Sequence, residues 1–190
     1  LSLSGGYSVT EASSGQTPGT EMSYEQLNGQ ILWRVVEKLN LSLGGGGEIR
    51  QFLDSSQDSL ISPLLSASIT YQPVKPTTLF VAASRSVNAS LYQNQLIEAT
   101  LISGGVNQQL LERLTLSLSG GYSHGNYLST QAGSPDGRQD DHSFFRAGLS
   151  TRFFKRGSAM VYCAISQNAS NANGYGYNTT QSGLQLSYAY

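Results

Sequence analysis

Residues 1–8 and residues 116–123 are identical: Leu-Ser-Leu-Ser-Gly-Gly-Tyr-Ser. A weaker copy, Leu-Ser-Leu-Gly-Gly-Gly-Gly, occupies residues 41–47. In each copy leucine alternates with a small polar residue, so one side is greasy and the other wet. That is the two-residue period of a strand, not the 3.6-residue period of a helix. The copies begin at 1, 41 and 116, and the second gap is about twice the first. Further copies are therefore predicted near residues 78 and 156, where residues 78–87 and 158–166 are strand-like. One hairpin repeats five times, about every 38–40 residues.

Alternation marks strands over about residues 1–10, 23–36, 39–50, 62–72, 78–87 and 95–109. Four more cover about residues 114–122, 145–153, 159–165 and 184–190. The connections after strands one, three, seven and nine are long or polar, with residues 126–141 and 168–180 the longest of them, and only the one after strand five breaks this rule by being short. Those after strands two, four, six and eight are tight; the fourth is the turn over residues 72–76, whose two prolines cannot donate to a ladder. Poor alternation around residues 103–105 predicts a bulge. Arg85 shares the apolar register of its strand and predicts either a bulge or a membrane-interface position.

Strands of ten to fourteen residues exceed the five or six usual in soluble proteins. Long loops at one end and short turns at the other are marks of outer-membrane barrels. The polar side carries Gln26, Asn28, Gln30, Arg34, Asn40, Glu48, Arg50, Arg146 and Arg152, too polar for a dry core. Such residues suit a wet lumen while leucines face lipid. Inside lipid every backbone group must be paired, and closing the sheet achieves that. The predicted fold is all-β: one domain over residues 1–190, an antiparallel up-and-down transmembrane barrel of about ten visible strands, or the C-terminal part of a larger one.

Composition agrees. Charged residues make up 12%, about half the roughly 25% of soluble domains, while there are eleven tyrosines and twenty-one glycines. A net charge of −1 gives no reason to expect nucleic acid. Cys163 is the single cysteine, so neither an internal disulfide nor a thiolate metal cluster can form, and it is placed facing lipid. The longest apolar run, residues 160–165, is far short of the roughly twenty residues of a membrane helix. The chain opens inside a strand pattern without Met, which predicts a removed leader or missing upstream strands.

Charges sort by end. Arg34, Lys38, Lys75, Arg113, Arg152, Lys155 and Arg156 sit near the short turns against Glu37 and Glu112. Carboxylates including Asp54, Asp58, Glu98, Asp136, Asp140 and Asp141 gather near the long loops. Either a field along a pore axis or the ordinary need of loops for solvated residues accounts for this. Arg34, Glu48, Arg50, Arg146 and Arg152 are lumen candidates. They read as a constriction selecting by charge or as a self-neutralising network plugging a narrow lumen. Trp33, Tyr71, Phe153, Tyr188 and Tyr190 lie near the short-turn end and fit an interfacial aromatic girdle.

Asp140, Asp141 and His142, with His124 on the preceding strand, form the main chemical cluster. A carboxylate two residues from a histidine can orient it as a base. The bland alternative is an acidic loop end where Asp136, Asp140 and Asp141 hold divalent cations together with lipopolysaccharide. The glycine run of residues 44–47 lacks the Lys-Ser/Thr and helix of a phosphate loop and reads as a bend in a barrel wall.

The final strand, with Leu184, Leu186, Tyr188 and the terminal Tyr190 alternating with polar residues, resembles the C-terminal assembly signal of bacterial outer-membrane barrels. That resemblance implies recognition by the barrel assembly machinery. Residues 78–89 and 116–123 also resemble a family called putative beta-barrel porins, whose members are generally longer. Asp140 and His142 resemble the first Asp-x-His pair of omptin-type outer-membrane proteases, also ten-stranded barrels, but the second Asp pair has no counterpart.

The function predicted from these residues is porin-like passage of small solutes or ions across a Gram-negative outer membrane. The alternatives are a structural or surface anchor with a plugged lumen, an omptin-like protease, and a soluble β-sandwich or fibre subunit. No enzymatic activity and no cofactor are expected. The partners expected are outer-membrane lipid, lipopolysaccharide, the assembly machinery and a homo-oligomer or larger membrane complex.

Overall fold

A computed structural model of the chain describes residues 2–12, 22–52, 59–89, 95–111, 113–129, 137–153 and 156–188. They form one antiparallel meander of ten strands in which each strand pairs with its sequence neighbours. The strands are β1 (Ser2–Ala12), β2 (Met22–Val36), β3 (Leu39–Phe52), β4 (Leu60–Val74) and β5 (Thr77–Ala89). They continue as β6 (Gln95–Leu110), β7 (Leu114–Ser129), β8 (Arg138–Phe153), β9 (Gly157–Ser170) and β10 (Tyr177–Tyr188). Among the described residues β1 and β10 do not pair with each other, so the sheet is open at both edges.

Register sorts every strand into two faces. The row Leu116–Leu149–Val161–Leu184 runs across β7 to β10, and Ile31–Leu43–Ala67 runs across β2 to β4. Most serines, glutamines and asparagines, and the strand arginines other than Arg85, take the other face. The apolar face is the exposed one: Leu184 is 66% exposed, Val161 57% and Leu65 57%. Among the described residues only Val87 and Leu96 are buried apolar side chains. The total surface of 12721 Å² exceeds the roughly 8,800 Å² expected of a compact soluble monomer of this mass. No second sheet or helix covers these leucines among the described residues, which a soluble sandwich would require.

Several elements differ from the sequence expectations. β7, β8 and β9 run past the predicted ends, so Tyr127↔Arg138 and Asp140↔Ser170 are paired strand residues, not loop. These extensions are mostly polar, with Tyr127, Leu128 and Phe144 on differing faces, and alternation cannot reveal a strand without a consistent apolar side. β4 continues to Val74 through Pro73, with a register shift between Tyr71 and Val74. Lys38 Nζ donates to the Pro73 carbonyl at 2.7 Å, tying two short turns together.

The bulge predicted at residues 103–105 is absent: Ser103, Gly104 and Gly105 pair in unbroken register with Ala82, Val81 and Phe80. Alternation fails there for another reason. A Cβ on Gly105 would lie 2.8 Å from the Phe80 ring, and one on Gly121 would lie 2.8 Å from the Phe144 ring. Each glycine is the cross-strand partner of the aromatic that lies over it on the polar face. Glycine here makes room both for a neighbouring ring and for the cross-strand carbonyls of Leu118 and Ile102.

Candidate functional site

The cavities of the sheet open mainly on its polar face. Near the short turns a cavity of about 610 Å³ is lined by Gln109, Arg113, Ser150, Arg152, Gln185 and Ser187, among others. Trp33, Tyr71 and Tyr188 lie on the opposite, apolar face at this end, 42–56% exposed, and Phe153 shares their face through the row Phe153–Gly157–Tyr188. Four of the five girdle candidates thus share one face at the short-turn end; Tyr190 lies outside the described residues. Leu184 and Leu186 extend the same face up β10, each 66% exposed.

A transmembrane strand needs about ten residues. Counting up β8 from Phe153, the span ends near Ser143, so Arg138, Asp140 and Asp141 stand beyond it toward the long loops. There Arg138 Nε donates to Asp140 Oδ1 at 3.0 Å, and its Nη2 donates to Oδ2, a two-pronged charge-assisted pair. The guanidinium is clamped between rings, 4.1 Å from the Tyr127 centroid and 3.6 Å from that of Tyr175. Burial opposes the charge on Asp140, but hydrogen bonds from Arg138 and Ser170 and the guanidinium charge outweigh it. They hold its pKa below the usual carboxylate value.

Alternation sends Asp141 to the other face, where it accepts from Tyr122 Oη and pairs with His124 Nδ1 at 2.7 Å. The predicted acidic cluster is thus split through the sheet. Asp140 and Asp141 cannot share one cation, and Asp136 lies outside the described residues. Among the described residues no group of three or more His, Cys, Asp or Glu could hold a metal. His142 shares a face with Asp140 but is stacked on Phe144 at 5.9 Å, while the Asp140 carboxylate is engaged by Arg138.

The lumen candidates do not converge on one ring. Glu48 and Arg50 pair with each other and are 4% and 6% exposed. Arg146 lies over the Tyr162 ring at 5.6 Å, Arg152 lines the short-turn cavity, and Arg34 donates to the Glu37 carbonyl at 3.3 Å.

Glu48 and Arg50 sit at a seam that the sequence does not announce. The β4–β5 ladder stops at Leu65↔Arg85 on the long-loop side, although both strands continue. Pro63, which has no N–H to donate, lies just past the last pair. Side chains bridge the gap: Arg50 Nη2 donates to the Val87 carbonyl at 3.2 Å, and Ser62 Oγ donates to Glu98 Oε1 at 3.2 Å. Arg85 pairs with Glu98 Oε2 at 3.2 Å. Arg85 marks no bulge in the β5–β6 ladder, and its long side chain carries its charge along the apolar face to Glu98, toward the long-loop end.

Comparison with known proteins decides the family. A family profile described as putative beta-barrel porin 2 matches residues 24–190. The chain belongs to this family. Among solved structures it is similar to an outer membrane protein of Vibrio cholerae, OmpT with loop L8 deleted. The TM-score is 0.52 at 12% identity, over 96% of this chain and 62% of that one, so it spans less than two thirds of that protein's length. At that identity the likeness is one of fold: an outer-membrane barrel. No curated protein matches this porin-family chain in sequence.

Arg138→Ala will leave the Asp140 charge on a strand with 8% exposure. The expected loss is about 1.5–3 kcal/mol, the worth of hydrogen bonds to a charged group, read from urea unfolding of the refolded protein. Because the folded pKa of Asp140 is lowered, its contribution is complete above about pH 4 and fades as pH falls through the folded value. The difference in melting between the native protein and Asp140→Asn should therefore be constant from pH 8 to 5 and shrink in acid.

Proposed function

We propose that this member of the porin family spans a Gram-negative outer membrane and passes small polar solutes along its polar face. The observation that carries the reading is the segregation of the two faces. One is an exposed apolar surface with an aromatic belt; the other is glycine-, serine-, amide- and arginine-bearing and holds the cavities. In lipid each unpaired backbone group costs several kcal/mol. The free edges of β1 and β10 are therefore paired in the membrane, with each other or with further strands. The partners are outer-membrane lipid, lipopolysaccharide and the barrel assembly machinery, which reads β10 by its Leu184, Leu186 and Tyr188 face. The protein acts without enzymatic chemistry.

Planar-bilayer recording at two salt concentrations tests the channel. Stable steps that scale with salt and shift with ion type are expected. Arg152→Glu, at the short-turn cavity with Arg113, should move the reversal potential toward cations. Silence in repeated insertions would leave an anchoring barrel.

A further inference from the structure

We infer that the polar face carries, at its long-loop end, a binding site for a neutral hydroxylated ring, the size of one pyranose unit. This rests on the reading of that face as the wall of a water-filled lumen, which puts the site at the mouth. A cavity of about 330 Å³ lies over β6 to β10, at the small end of ligand pockets. Its floor is made of the small residues Ala99, Ser123 and Gly125. Its walls hold the rings of Tyr127, His142 and Tyr177: Arg138 covers one face of Tyr127, His142 stacks on Phe144, and Tyr177 is half-exposed, while the buried Asn168 amide beside them donates to the Tyr175 carbonyl at 2.9 Å.

Charge excludes the obvious competitors. The cations and anions of the cavity wall are Arg138 and Asp140, and each neutralises the other. The Arg138 fork is spent on Asp140 and both faces of its guanidinium are covered by Tyr127 and Tyr175. It is not presented to an incoming anion, and Asp140 is equally committed against a cation. A half-exposed tyrosine ring to stack on, combined with the Ser123 hydroxyl, the His142 imidazole and the Tyr177 hydroxyl of the lining, suits a ligand with flat C–H faces and a rim of hydroxyls. The same clamp fixes Arg138 and Tyr127 in place, so little side-chain freedom is lost on binding.

The test is a titration of the detergent-solubilised protein with D-glucose, followed by saturation-transfer NMR, which needs no conductance. Binding in the roughly millimolar range is expected, at least tenfold tighter than for D-gluconate or D-glucosamine at equal ionic strength. Tyr177→Ala, at a half-exposed position, should weaken glucose at least tenfold without unfolding the barrel. A Cβ on Gly125 would lie 3.4 Å from Ile97 Cγ2, so Gly125→Ala should still bind, whereas Gly125→Phe fills the floor and should abolish binding. Glucose binding of a protein that never conducts would sink the channel and keep the site. Channels whose protein binds the charged probes as well as glucose, or binds glucose undiminished in Tyr177→Ala, would overturn the site and keep the channel.

Discussion

Leu118→Arg will destabilise the membrane-inserted protein by about 2–4 kcal/mol, the cost of an arginine on the lipid face near the bilayer midplane. Ser117→Arg, one residue away, will cost less than about 1 kcal/mol. Leu118 pairs with Val106 and Ala147 on the apolar face, and Ala147 lies midway between Phe153 in the belt and Asp141 beyond the span. Ser117 pairs with Asn107 and Gly148 on the other face, where a long cation reaches water. Urea unfolding in lipid vesicles, read by heat-modified gel mobility, measures both. Equal losses would mean that neither face meets lipid, and every role assigned to the polar face would go with that result.

Gly121→Val should cost about 1–3 kcal/mol, the range for forcing atoms into a packed site. A Cβ there would lie 2.8 Å from Phe144 Cε1 and Cζ and 2.7 Å from the Ile102 carbonyl oxygen. The ring can be removed and the carbonyl cannot. Phe144→Ala should therefore recover part of the loss, with a coupling of at least about 0.5 kcal/mol between the two positions. Strict additivity would show that the ring does not rest on the glycine. The same measurement on Gly105 with Phe80 checks that the device recurs one hairpin earlier.

The candidate site was only partly legible. That Trp33, Tyr71, Phe153 and Tyr188 share one face at the short-turn end could be read because aromatics, parity and short turns coincide in the sequence. The acidic cluster was misleading: adjacency in sequence suggested one site, whereas the strand period puts Asp140 and Asp141 on opposite faces. Arg138 and Asp140, two apart and so on one face, carried a usable signal that the predicted loop boundary hid. Tyr175 had none, because it reaches Arg138 from the connection between β9 and β10. The Glu48, Arg50, Ser62, Arg85 and Glu98 seam was also out of reach, since those residues come from four strands.

Local alternation settled the strand count, the meander order and the assignment of nearly every side chain to a face, because parity along a strand is a property of the chain itself. The same alternation separated loop ends from turn ends through length and proline content. Which side chains meet was decided elsewhere. Register between strands brings Phe80 over Gly105 and Arg138 beside Asp140, and the end of the β4–β5 ladder exposes the gap that Arg50 and Glu98 fill. Pairing is fixed by hydrogen bonds between segments tens of residues apart, and their offsets are not written in either segment alone.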